Sequence, residues 1–175
     1  MRVKLVPIEI SYQQQILEYK QEFIESGDNM DGTAGLQLTD DFDEWLKNIQ
    51  ENESEITVHE GFVPSSTLLA IEKLTGQLIG FIDIRHRLNE YLMQCGGHIG
   101  YSVRPSQRRQ GYATEILSLG LQKCDEWKIR DVLVTCNQEN IASAKTIMKN
   151  GGILENEIIL DGRIIQRYWI HREEN

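Results

Sequence analysis

Val103-Arg104-Pro105-Ser106-Gln107-Arg108-Arg109-Gln110-Gly111-Tyr112-Ala113-Thr114 sets three arginines and a glycine between a short apolar run and a segment of helical spacing. A loop that opens into a helix N-terminus binds anions, because free backbone N–H groups and the positive end of the helix dipole converge on its occupant. A pyrophosphate satisfies both. Gly111 lets the backbone come close, Ala113 keeps the first turn free of bulk, and Pro105 ends the preceding strand by removing a donor. Arg104 and Arg109 are further candidates to reach a phosphate, with Arg109 favoured. An ATP-dependent phosphotransferase also cradles phosphate in such a loop, but no Gly-Lys-Ser/Thr triplet or magnesium carboxylate follows here.

The elements that must position this loop are legible around it. Ala113, Ile116, Leu117, Gly120, Leu121, Cys124 and Trp127 form one apolar stripe at helical spacing. The run Asp131 to Cys136 reads as a strand buried on both faces in a parallel pairing. With the strand His98 to Val103 before the loop, these make a strand–helix–strand crossover, whose first turn is where such units bind anions. Upstream, Thr67 to Glu72 and Gln77 to Arg87 flank a Thr75-Gly76 turn and predict an antiparallel hairpin. Leu88 to Gln94 is a connection of undefined conformation. Ser11 to Ser26 and Thr39 to Glu51 have helical spacing, with Ser11 and either Thr39 or Asp40 as caps. The Gly27 to Gln37 loop between them is long enough to shape a binding mouth. Downstream, Asn140 caps a helix from Ile141 to Asn150 with Ala144, Ile147 and Met148 inward. Asp161-Gly162 joins the strands Ile153 to Leu160 and Arg163 to His171 in a hairpin.

The segment Arg108-Arg109-Gln110-Gly111-Tyr112-Ala113 resembles the Arg/Gln-x-x-Gly-x-Gly/Ala signature of the GNAT superfamily of acyl-CoA-dependent N-acetyltransferases, and the order of elements from Ser66 to His171 is similar to that family's. Asn140-Ile141-Ala142-Ser143-Ala144 resembles its second cofactor motif. The resemblance implies an α+β fold in one domain over residues 1–175. Its mixed central sheet of six to seven strands would be antiparallel in the N-terminal part, with helices on both faces and a splayed parallel pair around acetyl-CoA. It further implies that the backbone of Tyr101, Ser102 and Val103 pairs with the pantetheine arm and polarises the thioester carbonyl. Arg108, Arg109, Gln110, Gly111, Tyr112, Ala113 and Thr114 would hold the pyrophosphate, and Asn140 and Ser143 would contact the cofactor.

Two departures concern proton transfer. Many members carry a Tyr that protonates the leaving thiolate, and the matching position is Ile147; the position of a family Glu is Gly97. A thiol with pKa about 8.5 is still expelled more easily than an alkylamine of about 10.4 once the amine has lost its proton. A base is the harder requirement, since an alkylamine is mostly ammonium at neutral pH. Candidates are Asp83, His86 and Glu90 on and after the hairpin, and His98, the best placed, on the strand before the loop. By strand alternation Asp83 faces either solvent or a cleft.

A net charge of −9 disfavours nucleic acid, tRNA included, because phosphate binding needs clustered cations. Asp28, Asp31, Asp40, Asp41, Asp43 and Glu44 crowd the N-terminal third, where they could steer a cationic amine or simply solvate loops and helix ends. Three well-separated cysteines, Cys95, Cys124 and Cys136, indicate neither a disulfide framework nor a metal site. No apolar run is long enough for a membrane span, and residues 1–10 lack a signal-peptide core, so a cytoplasmic protein is expected. The aromatic C-terminal strand is compatible with a monomer or with an intersubunit sheet edge in a homodimer. The expectation is an N-acetyltransferase that uses acetyl-CoA and no metal to modify a primary amine, a small polar or cationic one slightly favoured over a large anionic one, with a peptide N-terminus or a protein lysine also open. The alternative is a catalytically inactive acyl-CoA sensor or interaction module on the same fold.

Overall fold

Two central strands with apolar residues on both faces decide the layering. In the computed structural model, which describes residues 1–173, strands β2 (Ser65–Glu72) and β3 (Leu78–Arg85) pair antiparallel. The register slips between Ala70 and Ile71, which face Gly80 and Leu78, so Ile79 is an extra residue and the faces of β3 exchange there. Leu69, Ile71, Leu78 and Phe81 therefore pack on one side, and Ala70, Ile79, Ile82 and Ile84 on the other. Each fully buried side chain of this size contributes about 1.5–3 kcal/mol of transfer free energy, which is enough to fix both layers.

Helices α1 (Gln13–Ser26) and α2 (Phe42–Asn52) cover the first face with Tyr19, Phe23 and Trp45. Helix α3 (Tyr112–Glu126) covers the second with Ile116, Leu117, Leu121 and Cys124. Strands β1 (Val3–Pro7) and β4 (Ile99–Val103) complete a sheet of order β1-β2-β3-β4. A second sheet, of order β5-β7-β6, holds β5 (Asp131–Asn137), β6 (Ile153–Leu160) and β7 (Arg163–His171), with α4 (Ile141–Lys149) between β5 and β6. The arrangement is α+β, with helices on both faces of the larger sheet, as the resemblance implies. Asp161 and Gly162 both take positive φ, 48° and 74°, as the expected two-residue hairpin demands.

The sequence reading needs several corrections. β1 was not anticipated, because five residues ending in Pro7 carry no clear alternation. Ser11 caps nothing; it lies in a single helical turn, Ile10–Tyr12, that runs into α1. The α2 cap is Asp41, whose carboxylate accepts the Glu44 N–H at 2.9 Å, rather than Thr39 or Asp40. The connection before β4 contains a wide helical turn over Leu92–Gly96. β5 pairs antiparallel with β7, leaving its other edge toward β4. On α4 the third inward residue is Thr146, while Met148 is exposed; Trp127 lies just beyond α3, partly exposed, with its ring centroid 4.9 Å from that of His86. Glu174 and Asn175 lie outside the described residues.

Candidate active site

The site begins where the two sheets part. The His98 N–H donates to Leu133 O at 2.7 Å, and the Leu133 N–H donates to His98 Nδ1 at 3.0 Å. Above this seam β4 and β5 run in the same direction and separate. The space between them is a cavity of about 230 Å3 lined by Ile99, Gly100 and Tyr101 from β4 and by Thr135, Cys136 and Asn137 from β5.

The backbone of β4 faces this cavity by alternation. The Arg85 N–H donates to His98 O and the Arg104 N–H to Ile79 O, so residues 98, 100, 102 and 104 are bonded to β3. The odd residues Ile99, Tyr101 and Val103 must direct their amide groups the other way. Val103 O, on that side, accepts from Arg108 Nε at 3.3 Å. This is the donor set that a thioester carbonyl and pantetheine amides require.

The anion loop continues directly from it. A helical turn over Pro105–Gln107 leads to Arg108, and Gly111, at φ 85°, sits at the N-cap of the fifteen-residue α3. Arg109 takes φ 61°, unusual for a side-chain-bearing residue, and is exposed with no hydrogen bond among the described residues. The Gln110 side chain donates to Gln107, and Gln110 O accepts from Arg2 at 2.7 Å. Arg2 also lies 4.1 Å from the Tyr112 ring centroid and donates to Glu115. The Tyr112 hydroxyl donates to Glu72 at 2.6 Å, which turns that side chain away from the loop. Ala113 and Thr114 form the first turn of α3. Arg2 is a residue that motif reading missed, because its role depends on β1 lying beside α3.

Arg104 turns into the core instead of toward the loop's N–H groups. It is buried, ion-paired with Glu22 at 2.6 Å and bonded to Leu78 O, with its Nε unpartnered. The same Glu22 accepts from the Ser106 N–H and hydroxyl. Burial would raise the Glu22 pKa, but the Ser106 and Arg104 hydrogen bonds outweigh it and hold the carboxyl below its ordinary value. Arg108 reaches Asp28 at 2.5 Å, an ion pair with both side chains well exposed.

On the other wall, Asn140 Oδ1 accepts the Ser143 N–H at 3.1 Å, so Asn140 is the α4 cap as expected. Ser143 Oγ lies 2.9 Å from the Tyr101 hydroxyl, and Tyr101, Asn140 and Ser143 all line the cavity. Burial lifts the Tyr101 phenol to about 12. Ser102 faces away, donating to Asp31 O and accepting from the Tyr19 hydroxyl at 2.9 Å.

The four base candidates lie off the cavity or are committed within the fold. Asp83 faces neither solvent nor cleft: it is buried, accepts from Thr67 at 2.9 Å and pairs with Arg85 at 3.1 Å. Glu90 is exposed on the connection before β4 and does not line the cavity. The His98 Nδ1 lone pair is committed to Leu133, and burial with the nearby Arg85 charge lowers its pKa to about 4. His86 bonds Ser66 at 2.9 Å, away from the cavity lining. Gly97 has φ 64°, and a Cβ there would meet Leu133 O at 2.5 Å, so no Glu fits at that position without moving the seam. Of the N-terminal acids, Asp28 and Asp40 pair with Arg108 and Lys20, Asp41 is a cap, and only Asp31 lines the cavity.

The Acetyltransferase (GNAT) domain model matches residues 7–153. The chain belongs to the GNAT acetyltransferase family. Three solved structures show the same fold. RimL, a ribosomal L7/L12 alpha-N-protein acetyltransferase in complex with coenzyme A, is 17% identical at TM-score 0.70, over 98% of this chain and 95% of that one. The microcin C7 self-immunity acetyltransferase MccE, in complex with acetyl-CoA and AMP, is 15% identical at TM-score 0.69, over 97% and 92%. Mutant forms of the spermidine/spermine N-acetyltransferase SpeG from Vibrio cholerae are 13% identical at TM-score 0.66, over 98% and 94%. Identities this low establish the fold alone. A search of curated protein sequences finds no match. Among the described residues no helix of this GNAT protein is long and apolar enough to cross a membrane, and no group of three His, Cys, Asp or Glu side chains could hold a metal.

Proposed function

We propose that this protein transfers an acetyl group from acetyl-CoA to a primary amine by direct attack of the amine on the thioester. The observation that carries the reading is the parting of β4 from β5 above the His98–Leu133 seam, with β4 amides facing the gap and the gap leading to the N-terminus of α3. Acetyl-CoA fits that arrangement end to end. Its pyrophosphate would sit on the backbone N–H groups of Arg108 to Thr114, its pantetheine amides beside Tyr101 to Val103, and its thioester in the cavity near the seam.

In the reaction the amine nitrogen forms a bond to the carbonyl carbon, and the carbonyl oxygen gathers charge. Fixed N–H donors aimed at that oxygen favour the transition state over the planar ground state. The carbon–sulfur bond then breaks and the thiolate takes a proton released from nitrogen. Ile147, in the core beneath α4, plays no part. The amine class is supported by the family and by RimL and SpeG, whose names give a protein α-amino group and a polyamine as acceptors.

The test is thiol release from acetyl-CoA against polyamines, aminoglycosides, amino acids and short peptides, with an amine-free blank. Acceleration by one class establishes the transferase and its acceptor. Tight acetyl-CoA binding with no acceleration by any amine supports the sensor, and failure to bind acetyl-CoA removes both readings.

A further inference from the structure

One carboxylate of the cavity wall is unaccounted for. Asp31 lies in the loop between α1 and α2 and lines the cavity beside Gly100 and Tyr101. Among the described residues its carboxylate has neither a hydrogen bond nor an ion pair, whereas Asp28 and Asp40 of the same region are paired. Asp31 is open to solvent at the mouth of the cavity, where an unpaired carboxylate complements a ligand of opposite charge.

The loop that carries it is fastened on three sides. Asp31 O accepts the Ser102 hydroxyl, tying it to β4. The Thr33 hydroxyl donates to Met30 O at 2.8 Å, and Trp45 Nε1 of α2 donates to Thr33 O at 2.9 Å. Gly32 is packed so closely on β4 that a Cβ would run into Gly100 O and Tyr101 Cα, and its φ of 73° also favours glycine. The residue next to Asp31 thus touches β4 at Gly100 and Tyr101, where the Tyr101 amide faces the gap. A loop held this rigidly keeps a group in one place over the β4 amides, which a reacting site requires.

Charge defines what that group would meet. Arg85 also lines the cavity, but its guanidinium is paired with buried Asp83 and donates to Gly96 O at 3.2 Å. With that pair neutral and His98 uncharged, the cavity keeps one net negative charge, on Asp31. A singly charged ammonium complements it; a carboxylate or phosphate beside the nitrogen does not.

Resting on the acetyltransferase reading, the geometry points to Asp31 as the catalytic residue that binds the acceptor ammonium and removes its proton. The carboxylate accepts one proton from R–NH3⁺, the freed lone pair forms the nitrogen–carbon bond, and the carbon–sulfur electron pair leaves with the thiolate. The second nitrogen proton passes to the thiolate, and Asp31 returns its proton to water. Partial desolvation at the cavity mouth raises the Asp31 pKa, offset in part by Arg85, and a higher carboxyl pKa lies nearer that of the ammonium it must deprotonate.

The experiment compares wild type with Asp31→Asn and Asp31→Glu, using the amine panel for turnover and calorimetry of amine binding to the CoA-loaded protein. Coenzyme A affinity and melting temperature serve as controls for folding. The expected result for Asp31→Asn is a loss of kcat/KM of about 100-fold or more, weakened amine binding, unchanged coenzyme A affinity, and loss of the wild-type acid limb of the pH profile. Asp31→Glu should recover part of the activity. Wild-type turnover kept within twofold by Asp31→Asn overturns the Asp31 assignment and leaves the acetyltransferase reading standing. A wild type that binds coenzyme A but neither binds nor acetylates any amine overturns the acetyltransferase reading, and the role of Asp31 with it.

Discussion

His98 and Leu133 are joined twice, once through the His98 main chain and once through its ring, at the point where the sheets part. A side-chain nitrogen supplies the acceptor that a second paired strand would have supplied from its backbone. The pairing of β4 with β5 therefore ends at one residue, and the gap above it stays open. Removing the ring strands a buried N–H, at a cost of about 1–3 kcal/mol. His98→Ala should lower unfolding free energy by that amount in urea titration. His98→Asn, whose side-chain oxygen can replace Nδ1, should recover much of it.

The same bond makes a pH prediction. The folded protein keeps His98 neutral down to about 4, against an ordinary value of 6.5 in the unfolded chain. Between those values the unfolded state binds more protons, so stability falls as pH drops from 6.5 to 4 and this contribution levels off below. Over the full window it amounts to about 3 kcal/mol. Denaturant midpoints of wild type should fall more steeply through that window than those of His98→Asn; parallel slopes would remove the assignment.

Glu22 holds the buried Arg104 on one oxygen and Ser106 on the other, so a single side chain on α1 braces the start of the anion loop. Breaking a buried ion pair from one side costs about 3–5 kcal/mol, because the remaining charge is left uncompensated. Glu22→Gln should show a loss approaching that range in denaturant unfolding. Since the folded Glu22 pKa is depressed, the wild-type advantage is present above the unfolded value of 4.5 and disappears as pH falls through the lower folded value. A difference between the two proteins that persisted unchanged at low pH would contradict this account.

The loop before α3, α3 itself, the Asn140 cap and the Asp161-Gly162 hairpin were legible because each is specified locally, by turn residues and by side-chain period. What could not be read depends on elements distant in sequence. Asp83 looked available because alternation gives a face but not the Thr67 and Arg85 that fill it. His98 looked like a base because nothing in its own strand reveals Leu133, thirty-five residues on. Arg104 and Arg108 stand four apart in one basic loop, yet Glu22 draws the first into the core and Asp28 holds the second at the surface. Asp31 was one acid among six, and its place at the cavity emerges only when Gly32 is seen against Gly100.

Arg108 and Asp28 pair at the surface beside the loop before α3, and their exposure sets what the pair is worth. An exposed ion pair contributes about 0–1 kcal/mol, so Asp28→Asn should leave the denaturant midpoint nearly unchanged. Arg108 also lies 5.3 Å from the Phe23 ring centroid and donates to Val103 O, which fixes its stem beside the loop whether or not Asp28 is charged. If the guanidinium turns to the pyrophosphate when acetyl-CoA binds, it exchanges one anionic partner for another. Arg108→Ala should then weaken coenzyme A binding about 10-fold or more, the value of a charge-assisted hydrogen bond, whereas Asp28→Asn should leave it unchanged or tighten it. Calorimetry with coenzyme A and with dephosphorylated pantetheine separates the contributions: the Arg108→Ala loss should appear for the first ligand and vanish for the second. An equal loss for both ligands would place Arg108 as a brace for Val103 and not as a phosphate contact.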